Sequence, residues 1–134
     1  MFYTEGGLIL PNVLLVQDAQ NQVAAASYAV SHTVFVNTNA SGTFRISGIT
    51  AVFGTASTSG TLNVEVATGT QAIAAGTNQM SSTISLAGTA NTVVNGTITT
   101  QTTISAGARI NLIFAGTVTN LANAQVGIVL QRLS

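Results

Sequence analysis

The sequence has no cysteine, no tryptophan and no lysine, and only one histidine and one proline in 134 residues. Without cysteine there is neither a disulfide framework nor a thiolate metal site. Without lysine the phosphate-cradling GxxxxGK[ST] loop cannot be written, and no GxGxxG is present either. Charge is scarce altogether. Asp, Glu, Lys and Arg make up 4% of the chain, against roughly 25% in an ordinary soluble protein. The whole inventory is Glu5, Asp18, Arg45, Glu65, Arg109 and Arg132, and the net charge is zero. A nucleic-acid or anionic-membrane binder needs a basic footprint, which this chain lacks. The longest apolar stretch, Leu8 to Val16, is broken by Pro11 and Asn12, whereas a spanning helix needs about 20 residues. The N-terminus has no basic region ahead of Leu8 to make a secretory signal. A membrane β-barrel would call for aromatic girdles, and the chain has only two tyrosines.

Catalytic equipment is equally thin. His32 is the lone histidine, and Tyr28, Val30, Val34 and Val36 share its parity on an expected strand. Its reading is a structural or interface histidine, because a nucleophile, an acidic orienter or co-ligands would all have to come from three carboxylates. Acid–base catalysis by paired carboxylates would rest on Glu5, Asp18 and Glu65; each is read as solvated, with Glu65 on the outward face of its strand. We therefore expect no enzyme activity, no cofactor and no metal. Asn39-Ala40-Ser41 and Asn95-Gly96-Thr97 match glycosylation sequons, as chance allows in a chain so rich in Ser, Thr and Asn.

What the sequence does contain is alternation. Leu62, Val64 and Val66 alternate with Thr61, Asn63 and Glu65, the pattern of a half-buried strand. Ile110, Leu112 and Phe114 repeat it, as do Val126, Ile128 and Leu130. In Phe44 to Phe53 the parity slips: Phe44 and Ile46 lie on one face, Ile49, Ala51 and Phe53 on the other. A β-bulge at Gly48 restores one core face to a single long bent strand. Gly69, Gly76 and Gly88 punctuate the middle of the chain. Thr58-Ser59-Gly60, Ser105-Ala106-Gly107 and Asn120 to Asn123 mark further turns. Asn95-Gly96 is expected to form a two-residue hairpin turn. The result is about eight strands at roughly 8–12-residue spacing, an all-β sandwich or barrel. Asp18 to Ala26 reads as a short helix or a loop. Residues 1–16 read as either an edge strand or an arm that docks on a neighbour, so residues 1–27 are set apart from a sandwich domain at 28–134. Phe2 and Tyr3, followed by Leu8, Ile9 and Leu10, are candidate interface anchors, since aromatics are preferred at interface hot spots. Arg45, Arg109 and Arg132 stand alone in neutral runs, and each is open to two readings: a solvated side chain, or a specific bidentate contact. A surface nearly free of charge lacks like-charge repulsion and favours association.

The run Gly42-Thr-Phe-Arg-Ile-Ser-Gly-Ile-Thr-Ala-Val-Phe-Gly54 with Ser59-Gly-Thr-Leu-Asn-Val-Glu-Val-Ala67, Ile104-Ser-Ala-Gly-Ala-Arg-Ile-Asn-Leu-Ile-Phe114 and Val126-Gly-Ile-Val-Leu-Gln-Arg132 resembles the small jelly-roll domains of tailed-bacteriophage head decoration (cement) proteins and related virion fibres. The resemblance covers residues 28–133 and is one of strand and turn style. It implies a jelly-roll-like antiparallel β-sandwich of about eight strands with an N-terminal arm. It also implies a non-enzymatic virion protein, assembled in the host cytoplasm. Such a protein sits on the capsid exterior as a homo-oligomer, a trimer, and staples the major capsid protein. On that expectation residues 1–16 contact the capsid or a neighbouring protomer. The other reading is a tail-fibre or surface-adhesin module that recognises glycans or a host receptor; the lack of tryptophan and the few acids speak against a sugar site.

Overall fold

The computed structural model describes residues 2–4, 7–9, 13–23, 31–38 and 42–133. Among them there is no helix, and every paired strand runs antiparallel to its neighbours. The first two strands, β1 (Phe2–Thr4) and β2 (Gly7–Ile9), pair with each other in register Phe2↔Ile9, Tyr3↔Leu8. The rest form two sheets. One has the order β3 (Val13–Val23), β11 (Ala122–Arg132), β5 (Phe44–Val52), β9 (Val94–Asn95). The other has the order β4 (His32–Val36), β10 (Arg109–Ala115), β6 (Thr61–Ala67), with the short β7 (Thr77–Asn78) and β8 (Ile84–Ser85) both pairing with β6.

This order has a simple generator. β3 pairs β11, β4 pairs β10, β5 pairs β9, and β6 pairs β7 and β8. These are the rungs of one long hairpin folded at its middle. Wrapping that hairpin brings β11 beside β5 and β10 beside β6, and from β3 to β6 each strand lies in the opposite sheet to the one before it. Two antiparallel sheets joined in this way are a jelly-roll sandwich; the alternation and the strand count predict an all-β sandwich or barrel, and the jelly roll is what the resemblance implies.

The core lies between the sheets. Ile46, Ile49 and Phe53 meet Leu62, Val64, Ile110 and Leu112 across it, with Ile128 and Leu130 alongside, all at most 2% exposed. Burying each such side chain is worth roughly 1.5–3 kcal/mol. The parity slip in β5 is resolved by a register shift: Val129 faces Gly48 and Leu130 faces Ile46, leaving Ser47 as the extra, exposed residue. Asn123, at φ 53°, marks a second irregularity where β11 leaves β3. Asparagine tolerates that left-handed conformation better than most residues with a side chain.

Two sequence expectations are corrected. Asp18 to Val23 is neither helix nor loop but the second half of β3, hydrogen-bonded to β11; residues 24–26 lie outside the described residues. Of the 1–16 stretch, Val13 to Val16 open this edge strand, while Phe2–Ile9 hold the small hairpin. Asn95-Gly96 makes no hairpin turn. A two-residue turn of that kind needs positive φ at both positions, and neither has it. Instead Val94–Asn95 pairs with Thr50 and Ala51, and the Gly96 amide donates to the Ile49 carbonyl at 2.9 Å. Gly96 lies against Met80: a Cβ would fall 2.3 Å from the Met80 sulfur, so a larger residue there must push that side chain aside.

Candidate assembly surface

Three features bear on function, and the first is a correction. Glu65 lies on the face of β6 that points away from the core, yet it is 1% exposed rather than solvated. Its cover is the 68–76 loop, which folds back over the sheet. Glu65 Oε1 accepts from the Ala74 amide (2.8 Å) and from Asn111 Nδ2 (2.8 Å), and Oε2 accepts from the Gly76 amide (3.0 Å). Asn111 Oδ1 in turn accepts from the Thr33 hydroxyl at 2.7 Å. Thr33, Asn111 and Glu65 are register partners on β4, β10 and β6. A polar ladder therefore crosses three strands and ends in the loop. Buried charge is tolerated only when hydrogen-bonded, and here two backbone amides and an amide side chain meet that need. The strand pattern hides this, because alternation reports which residues face the core and not what covers the opposite face.

The second feature is the arginines. Register alone brings all three to one end of the sandwich. Arg109 opens β10 opposite Val36 and Ala67, at the ends of β4 and β6. Arg45 faces Gln131 and Arg132 faces Phe44, where β5 begins and β11 ends. The Phe44 amide bonds to the Ile104 carbonyl (3.2 Å), and residues 105–108 lead from there straight to Arg109. Arg109 donates to the carbonyls of Gly69 (3.1 Å) and Gln71 (2.5 Å), and Arg45 Nε donates to Gln131 Oε1 (2.9 Å). The Arg132 guanidinium has no hydrogen-bond partner among the described residues. Of the other expected anchors, Phe2 and Tyr3 stand on β1 and Leu8 and Ile9 on β2, paired with each other; Leu10 lies outside the described residues.

The third feature is the edge formed by β3 and β4, which pack side by side at one flank. β3 is 11 residues long and, among the described residues, pairs on one side only, with β11. Leu15 on β3 is 55% exposed and Val36 on β4 is 47% exposed. His32, at the other end of β4 from Val36, stacks on Phe114 with ring centroids 6.2 Å apart and planes 11° from parallel. Buried polar side chains elsewhere hold loops: Asn37 Nδ2 donates to the carbonyls of Gly42 and Ile104, and Gln79 Nε2 to Thr77 O and Thr102 Oγ1.

No protein-family model matches the chain, and no curated protein matches it either. Among solved structures, it is similar to a chain from Bacillus endospore appendages, described as a family of disulfide-linked pili. The match covers 95% of this chain and 97% of that one, at 10% identity and a TM-score of 0.33. At that score the likeness carries no argument.

Proposed function

We propose that this domain is a non-enzymatic structural subunit that binds a repeating protein lattice. On its resemblance to phage head decoration proteins, that lattice is the exterior of a capsid, which the domain stabilises as a homo-oligomer, a trimer. The observation that carries the structural reading is the long edge of β3, which has no outer partner among the described residues, in a chain almost without charge. An edge strand offers a row of unpaired amides and carbonyls to another chain, and many weak contacts on a lattice add up through effective concentration. The use of the ionisable side chains points the same way: Glu65, Arg45 and Arg109 hold loops and strands of the domain itself.

The reading is tested by co-sedimentation with purified capsids. A chain beginning at Val13 keeps β3 whole and loses the β1–β2 hairpin. It is expected to keep its circular dichroism spectrum and its thermal midpoint and to lose part of its capsid occupancy, the intact β3 edge keeping the rest. A full chain that fails to co-sediment with capsids, and that leaves their resistance to heat unchanged, sinks the proposal.

A further inference from the structure

We propose that the arginine-bearing end of the sandwich docks on a carboxylate-rich surface of a partner protein. This rests on the structural-subunit reading and adds which end of the domain faces the partner. Arg45 projects from the outer face of one sheet and Arg109 from the outer face of the other, as their buried neighbours Ile46 and Ile110 show. Arg132 lies between them, on the core parity of β11 with Leu130. Packed sheets stand about 10 Å apart, so three guanidiniums span the end of the domain. Among the described residues no carboxylate pairs with them. Arg109 bonds to neutral carbonyls and Arg45 to a neutral amide, while Glu65 spends both oxygens on amides. With no lysine in the sequence, all the side-chain positive charge sits at this end.

Apolar surface is gathered there too. Val36 is the register partner of Arg109, Leu133 follows Arg132, and Ile73 rides on the loop that Arg109 and Glu65 hold; they are 47%, 45% and 44% exposed. Arginine without lysine, beside exposed apolar surface, fits the composition of a protein interface. The guanidinium fork matches carboxylates two bonds at a time. A nucleic acid is disfavoured, because three neutralised phosphates give only weak binding at physiological salt. The nearby aromatics Phe35 and Phe44 are committed to an edge contact with each other, at 6.2 Å, rather than to stacking on bases. A second copy is a poor match: its remaining side-chain carboxylates are Glu5 and Asp18, far from a carboxylate-rich surface.

The test is an NMR titration of the labelled full chain with a short Asp/Glu-rich peptide, with a Lys-rich peptide as control. Expected are shifts confined to the Arg45, Arg109 and Arg132 side-chain N–H groups and to backbone amides 43–45, 108–109 and 131–133, fading with added salt. Arg45→Gln with Arg132→Gln is expected to weaken binding by about tenfold or more while the domain stays folded, with the thermal midpoint lowered only by the loss of the Arg45–Gln131 bond. No shifts, or shifts elsewhere, overturn the proposal. Tighter binding of duplex DNA or heparin at the same amides overturns it in favour of a polyanion site, and concentration-dependent shifts of the chain alone in favour of a second copy. The peptide measurement involves no capsid, so it stands or falls apart from the lattice reading. A domain that occupies capsids equally well with both arginines replaced defeats this inference alone.

Discussion

A buried carboxylate held by three donors behaves unlike one in water, and Glu65 is such a group. Replacing it with glutamine keeps the shape but turns one oxygen into an NH2 that must face a donor. If that is Oε2, the Gly76 amide loses its acceptor; if it is Oε1, both Ala74 and Asn111 do. Losing a charged acceptor to buried donors costs roughly 1.5–3 kcal/mol, so Glu65→Gln is expected to lower the unfolding free energy by that amount, seen as a lower urea midpoint with an unchanged slope. A change below about 0.5 kcal/mol, the range of ordinary surface substitutions, would show that the 68–76 loop does not depend on this residue. Two glycines give a second comparison. Gly107 and Gly116 both have positive φ, 86° and 73°. An added Cβ at Gly107 meets nothing within 4 Å, whereas at Gly116 it falls 2.5 Å from the Ser59 carbonyl oxygen. Gly107→Ala is therefore expected to cost only backbone strain, about 1–2 kcal/mol, and Gly116→Ala clearly more. Equal losses in thermal melts would remove steric crowding from the account.

At the scale of the element, β5 shows how alternation and irregularity cooperate. Its core residues change parity between Ile46 and Ile49, and the bulge at Ser47 lets both halves face inward. Deleting Ser47 puts Phe44, Ile46, Ile49, Ala51 and Phe53 on a single parity, so the strand can pair regularly with β11 and still bury all five. Deleting Thr50 leaves no register that buries all five: with the bulge kept Ala51 and Phe53 turn outward, and without it Ile49 turns outward and Gly48 takes a core position, because side chains alternate with a period of two. The Ser47 deletion is expected to fold cooperatively, with a modest loss, and the Thr50 deletion to remain unfolded by near-ultraviolet circular dichroism. If both fold, or neither does, the bulge is not what sets the register. The slip was legible in the sequence because large apolar residues mark both halves of it. The same logic made β6, β10 and β11 legible. It failed where another force decided. Gln20, Asn21 and Gln22 look unlike a strand, yet β3 forms because β11 supplies a partner along its length. At Asn95-Gly96 the glycine lies against the Met80 sulfur rather than in a turn. Glu65 reads as solvated because a loop distant from its own face of the pattern does the covering. The arginine end was illegible for a topological reason: positions 45, 109 and 132 meet only once β5, β10 and β11 are laid in register.

At the scale of the whole molecule, a closed core meets a flank where β3 has no outer partner among the described residues. Jelly rolls still have edges, and natural sheets usually guard them with lysine, proline, short strands or covering segments. β3 contains neither lysine nor proline, is 11 residues long, and exposes Leu15 opposite Val129. A near-neutral surface adds no repulsion to oppose pairing. The expectation is that the full chain self-associates through this flank, with an apparent mass in sedimentation velocity that rises with concentration. Leu15→Lys places one positive charge per copy where two edges would meet and removes exposed apolar area. It is expected to shift the population towards monomer, while leaving the thermal midpoint nearly unchanged because Leu15 contributes little to the core. Arg45→Gln with Arg132→Gln lies at the other surface and is expected to leave the self-association as it was. A Leu15→Lys chain that associates like the unsubstituted one would move the contact off β3. Association that vanishes with the arginine pair instead would show that one surface serves both the copies and the partner.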